Sequence, residues 1–477
     1  MTRQLIPPLL LAAACLALPA ALGVSREPRW SDEVSYVSSA FKTARTGQLR
    51  AATHLPEDLL RHGTEHKPFH MPAYVLTLAA WLTAFPSPGS IAALNGLLFA
   101  AAALLLLRFC AGRSASLAER LLALAILLAT PLGLAYAGTA MLESLALLVG
   151  TATFLSWRAL RESPRGLFFL YATAALAFLT RETLLLLPAA AAVVDRRALL
   201  ETHRRLLRER RAWALALGAF AALLAALAAA GFQGRAYHPN LLAQLAQAPG
   251  LREVSGLLAE NLVRNAAAFG SWSSFPHDLL YGYGLLVFAA TGLLALREGG
   301  GADGWALRVS AAFSGLSLLA TCLLYDAFDW RGHRVLGICV WLGTAALLAR
   351  IGAARLTRRL RLGALAAILA LNAALALSVL LHFRALRTPP PRPHVLTALG
   401  LPEPGDLLFS QNDFQFLAEN PRCELLWSLP EGREARLALV RGARPRFAIL
   451  RPDLDLAPEG YQALARGDGT ALWLRQP

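Results

Sequence analysis

The sequence predicts an all-α polytopic membrane protein of about eleven transmembrane helices, with interfacial helices on the periplasmic side and a small soluble α/β domain at the C-terminal end. Three observations carry this. Hydrophobic residues make up 56% of the 477 and charged ones only 16%, well away from the mix of a water-soluble globular chain. The apolar residues fall in long Ala- and Leu-rich blocks rather than at helical or strand spacing. Most basic residues stand in short runs between those blocks, as orientation signals do.

The formal charge of +15 is therefore read as a topology signal, and no nucleic-acid partner is expected. Cys15, Cys110, Cys322 and Cys339 lie in apolar blocks and Cys423 stands apart, so neither a disulfide framework nor metal-type cysteine spacing is present. The preference for Arg over Lys points to a high-GC bacterial genome, and the expected location is the bacterial inner membrane.

Apolar blocks occur near residues 5–24, 71–85, 90–108, 119–137, 141–157, 167–194, 212–231, 281–296, 305–324, 335–349 and 362–382. The first exceeds the roughly 7–15 apolar residues of a cleaved signal segment and reads as a retained anchor. The block at 71–85 is short for a crossing and reads as an interfacial helix. The block at 167–194 is interrupted at "FLTRET" by Arg181 and Glu182 and reads as a broken pair of passes, which is tolerated where it lines a protein cavity. With these two assignments the basic runs all fall inside: Arg108 to Arg120, Arg158 to Arg165, residues 195–211, Arg297 with Arg308, and Arg350 to Arg361. The outer face then holds 25–89, 138–143, the Arg181 break, 232–280, 325–334 and 383–477. Residues 1–382 form the membrane module. Within 232–280, apolar residues at three and four spacing read as interfacial helices.

Every unusual ionisable cluster lands on that outer face. "SDEVSY" places Asp32 and Glu33 side by side after the first block; "HKPFHMPAY" closes the first loop with Lys67 and His70; "TAMLES" carries Glu143; "YDAFDWRGHR" carries His333 and Arg334. Acids and cations converging on one surface suit a site that activates a hydroxyl and receives an anionic leaving group.

In this order the features resemble the C-type glycosyltransferase superfamily of polytopic membrane enzymes, in its branch of protein O-mannosyltransferases and lipid A aminoarabinose transferases. The motifs are the acidic pair, "KPFHMPAYVLTLAAWLTAF", "MLESLALL", "LTRETLLLLP" and "GHRVLGICVW". The resemblance implies a glycosyltransferase using a polyprenyl-phosphate sugar as donor. It implies that Asp32 or Glu33 is the general base, and that Glu143 assists by holding the acceptor or a divalent metal. Arg181 and Arg334, with His333, would bind the donor phosphate. The partners expected are membrane lipid, the lipid-linked sugar donor, and a glycan, lipid or protein acceptor. The sequence departs from the family pattern in having Glu143 rather than Asp, "HMP" rather than two prolines, and Val335 after Arg334.

Plainer readings stand beside these. Adjacent acids at a helix start favour the helix dipole, Glu143 can be a solvated turn residue, and Arg181 with Glu182 can be a structural ion pair. Arg331, His333 and Arg334 can snorkel to lipid headgroups. His54, His62, His66 and His70 sit in a polar loop and read as solvated rather than metal-ligating. A transporter or lipid flippase is the competing function, but its charges belong near the bilayer midplane.

Beyond "TPPPRP", a stiff linker, the runs "DLLFS", "CELLWSL", "RFAILR" and "TALWLRQ" with helix-like "FQFLAEN" predict the α/β domain of residues 383–477.

Overall fold

The computed structural model describes residues 7–8, 10–14, 17, 31–66, 72–110, 115–162, 166–207, 250–270, 277–298, 302–324, 330–386, 392–411, 413–451, 454–467 and 470–476. The apolar block at 212–231 and most of that at 5–24 lie outside the described residues.

The segment after the first apolar block is folded over residues 31–66. Helix α1 (Ser31–Thr46) opens with Asp32 and Glu33 and closes with Arg45, a charge order that suits the helix dipole. Strand β1 (Thr53–His54) and helix α2 (Pro56–His62) follow. Helix α3 (Pro72–Ala84) occupies the segment expected as an interfacial helix and buries Tyr74, Val75, Leu78 and Leu82, packing against α1.

In the membrane module come α4 (Ile91–Cys110), α5 (Leu117–Leu128), α6 (Pro131–Ala137), α7 (Glu143–Glu162), α8 (Gly166–Thr180) and α9 (Leu186–Val194). They are followed by α10 (Arg196–Leu207), α11 (Leu251–Gly270), α12 (His277–Arg297), α13 (Ala302–Leu324), α14 (Trp330–Ala353) and α15 (Arg358–Leu386). Among the described residues, Pro88–Cys110, Gly304–Leu323 and Arg358–Ala385 are long and apolar enough to cross a membrane. Pro72–Ala84, Gly166–Thr180, Thr183–Val194, Gly282–Arg297 and Gly337–Ala353 are apolar but shorter.

The block at 119–137, expected as one straight crossing, is bent by 70° between α5 and α6. Pro131 is the first residue of α6 after Thr130; lacking an N–H, it ends one helix and starts the next. Gly133 then lets α6 close on α4, since a Cβ there would lie 2.6 Å from Phe99 Cε2. Across the module, Trp341 Nε1 on α14 donates to Thr151 Oγ1 on α7 at 2.9 Å, a satisfied polar pair where both side chains are buried.

The C-terminal region forms a sheet of β1, β2 (Leu407–Phe409), β3 (Glu424–Leu426), β4 (Phe447–Leu450), β5 (Tyr461–Gly467) and β6 (Thr470–Arg475). Its order is β1-β3-β2-β4-β6-β5, parallel as far as β4 and antiparallel for β6 and β5. β2, β3, β4 and β6 lie within the four runs read as strands, and Phe414–Glu419 is helical as "FQFLAEN" indicates. Alternation puts Leu407, Phe409 and Leu426 on one face and Leu408 and Leu425 on the other.

The sheet is completed from the far end of the chain. β1 supplies its edge, with Thr53 paired to Leu425. Leu59 of α2 packs on one face and Val34 of α1 on the other.

Candidate active site

The two segments that carry the acids, the start of α1 and the start of α7, meet through the turn at Ala140. Glu33, in the first turn of α1, is fully buried, and its Oε1 accepts the backbone N–H of Ala140 at 2.8 Å. Ala140 lies in the turn between α6 and α7. Asn95 of α4, itself fully buried, holds that turn by donating from Nδ2 to the carbonyls of Thr139 and Met141. Three residues beyond Ala140, Glu143 opens α7 with 4% of its surface exposed. Glu143 Oε1 accepts from Arg181 Nη1 at 3.2 Å.

Arg181 reaches Glu143 because the helix breaks there. Its backbone is extended, with φ −160° and ψ 124°, between α8 and a 3₁₀ turn at Glu182–Leu185. The polar interruption read in "LTRET" is thus a real end of α8, and it delivers a cation to the acid at the start of α7. A buried charge needs such a partner.

Tyr74 completes the described part of the site and was not singled out from the sequence. Its hydroxyl lies 2.9 Å from Asn95 Nδ2, and its ring meets Tyr36 of α1 edge-on at 5.2 Å. Burial drives the phenol well above its ordinary value; the Asn95 hydrogen bond opposes this, and the Glu143 and Glu33 carboxylates add to it. Tyr74 therefore remains a hydroxyl at neutral pH. The sequence signal was its place in "HMPAY", directly after the cation-rich stretch.

Asp32 is half-buried in the first turn of α1. His333 and Arg334 occupy the first turn of α14, and their side chains lie outside the described residues. Ile338 packs over Gly150 and Trp341 bonds Thr151, so α14 packs against α7. Lys67 and His70 lie outside the described residues. Among the described residues, no three His, Cys, Asp or Glu side chains are grouped to hold a metal ion.

The loop histidines correct the sequence reading. His54 is fully buried and His66 is 9% exposed, rather than solvated. His54 Nδ1 lies 2.6 Å from His66 Nε2, and His54 Nε2 lies 2.9 Å from Glu424 Oε2. The same oxygen accepts from Lys42 Nζ at 2.8 Å. Once the loop folds against β3, these polar groups satisfy one another, which the sequence could not show because Glu424 lies 370 positions from His54.

No protein-family model matches the chain, and no curated protein matches its sequence. Among solved structures, ArnT from Cupriavidus metallidurans bound to undecaprenyl phosphate is similar over 98% of this chain and 99% of that one, with 14% identity and a TM-score of 0.57. The arabinosyltransferase EmbB from Mycobacterium smegmatis is 15% identical over 96% of this chain and 45% of its own, with a TM-score of 0.45, too low to bear on the fold. The match along nearly the whole of both chains shows that this protein shares the fold of ArnT.

Proposed function

We propose that the chain is an inverting membrane glycosyltransferase that moves a sugar from a polyprenyl-phosphate donor to an acceptor hydroxyl on the outer face of the inner membrane. The observation that carries this reading is the buried meeting of Glu33, the Ala140 turn, Glu143 and Arg181 within an ArnT-like fold. The undecaprenyl phosphate bound by ArnT supports a donor of the same chemistry.

In this reading Asp32 takes the proton of the acceptor hydroxyl as its oxygen bonds to the anomeric carbon. The bond from that carbon to the phosphate oxygen breaks, and polyprenyl phosphate leaves with the electron pair. Glu33, engaged with a backbone N–H, keeps the start of α1 in place beside Asp32. Arg181, with Arg334 and His333, meets the charge that grows on the departing phosphate, where a guanidinium offers a planar fork to its oxygens. Glu143 orients Arg181 and borders the acceptor. Lys67 and His70 are further candidates for the donor side.

Charges gathered at one membrane surface favour this over a transporter, whose ionisable groups line a path through the midplane. Mass spectrometry of surface glycans, glycolipids and glycoproteins from cells with and without the gene tests it. Loss of one sugar modification, restored by the wild-type gene and not by Asp32→Asn, is expected. Unchanged glycans would remove the reading.

A further inference from the structure

Helix α1 has two working stripes. Tyr36, Val37, Ala40 and Phe41 pack into the core of the membrane module, on the side from which Glu33 reaches Ala140. Ser35, Ser39 and Lys42, spaced i, i+4, i+7, face the C-terminal sheet and the loop that edges it. Ser35 Oγ bonds Thr53 Oγ1 at 2.8 Å, Ser39 Oγ accepts the N–H of Ala52 at 3.1 Å, and Lys42 binds Glu424 and the carbonyl of Thr64. Arg422 stacks over Phe41 at 5.6 Å, and Arg45 Nη2 stands 3.9 Å from Glu424 Oε1.

We propose that the C-terminal sheet positions the acid pair for catalysis, with Glu424 as the positioning residue that locks the register of α1. The proposal rests on the reading of Asp32 and Glu33 as the reacting end of that helix. Glu33 and Lys42 are about 14 Å apart along one helix, so a clamp at one end sets the other. A slip of one residue moves the acids by about 1.5 Å and turns them by about 100°, and it breaks the Ser35, Ser39 and Lys42 bonds together.

The composition of the clamp supports this role. A buried ion pair adds little net stability over apolar packing of equal volume, because desolvation offsets the attraction. Its geometry, by contrast, is demanding. Glu424 Oε2 serves both Lys42 and His54, and His54 is in turn held by His66. The clamp therefore accepts one placement of α1 and rejects its neighbours.

The test uses the full-length protein in nanodiscs, with membranes from the native cells as the source of donor and acceptor. Turnover is read by mass spectrometry of product, and donor-site integrity by the Kd for undecaprenyl phosphate. Glu424→Gln keeps the size of the side chain and removes its charge. Turnover should fall about tenfold or more, since a misplacement near 1 Å can cost about a hundredfold, while the Kd stays within about twofold. Glu424→Asp, which restores the charge, should recover part of the loss. Ser39→Ala, which removes one hydroxyl, should show a smaller loss of the same kind. Wild-type turnover in both Glu424→Gln and Ser39→Ala, with Asp32→Asn inactive, would overturn the positioning role and leave the transferase reading standing. Parallel loss of turnover and undecaprenyl phosphate binding would reduce Glu424 to a structural residue and also overturn it. Absence of sugar transfer by the wild-type protein would remove the transferase reading, and the proposal with it.

Discussion

The Glu33 carboxylate accepts the backbone N–H of Ala140 at 2.8 Å, across 107 positions of chain. Two neighbouring acids thereby acquire different settings: Glu33 is fully buried and engaged with a turn, whereas Asp32 is half-buried at the start of the same helix. Successive side chains on a helix diverge by about 100°, which is what separates them.

On the proposed mechanism, Asp32→Asn should lower turnover by at least about a hundredfold, since a positioned base contributes about 10² to 10⁴. Glu33→Gln retains an oxygen for the Ala140 N–H and should be milder. Steady-state rates with undecaprenyl phosphate binding as the folding control check both. Full activity in Asp32→Asn with loss in Glu33→Gln would exchange the two assignments.

Arg181→Ala should cost both stability and donor binding. The side chains of Arg181 and Glu143 are 11% and 5% exposed, and removing one partner of a buried pair typically costs about 3–5 kcal/mol. Adding Glu143→Gln should restore much of the stability, because no uncompensated carboxylate remains, and leave donor binding impaired. Thermal denaturation beside undecaprenyl phosphate titration separates the two effects.

Arg334→Ala should weaken donor use far more than acceptor use. A charge-assisted phosphate contact is worth about 1.5–3 kcal/mol, so the Kd for undecaprenyl phosphate should rise about ten- to a hundredfold. An unchanged Kd would remove Arg334 from the donor site.

Acid should loosen the clamp before it affects the rest of the protein. Burial holds the His54 imidazole below its ordinary 6.5, outweighing the raising effect of Glu424, while the Lys42 charge also lowers it and Asp58 raises it. The unfolded chain takes a proton at this residue below 6.5 and the folded one does not. Stability is thus full above pH 6.5 and falls as pH drops below it, by up to about 1.4 kcal/mol per pH unit for one proton. Burial raises the Glu424 carboxyl, but His54 and Lys42 hold it below its ordinary 4.5, so its contribution is lost only in stronger acid. Melting temperatures between pH 5 and 8 should decline toward acid in the wild type and less steeply in His54→Gln. Equal slopes would show that another group governs the decline.

The eleven-span reading predicts that residues 195–211 are cytoplasmic while 232–280 and the C-terminal region are periplasmic. An alkaline-phosphatase fusion at residue 400 should be active and one within 195–211 inactive. An inserted but inactive fusion at 400 would end that topology.

Legibility followed the range of the forces involved. The break at Arg181 could be read because two ionisable residues interrupt an apolar block, and the strands of the sheet because alternation is local. Pro131 signalled the bend after Thr130, yet the even hydropathy of 119–137 concealed it. The polar stretch "SSAFKTART" in α1 resembles solvated loop, since Ser39 and Lys42 find their partners in Ala52 and Glu424, in segments brought together by the fold. The burial of His54 and its pairing with Glu424 escaped the sequence for the same reason.

The pairing of Thr53 with Leu425 also orders the protein's biogenesis. On the eleven-span reading the loop that holds Thr53 would be exported early in synthesis, when the strand it must join has not been translated. Lys42 and His54 would gain their shared carboxylate, Glu424, only once β3 had followed them across the bilayer. On that reading a ribosome that stops within the last apolar helices would leave a chain whose acid-bearing helix lacks the Glu424 anchor, and the proposed sugar transfer would begin only after the end of the chain had been delivered outside.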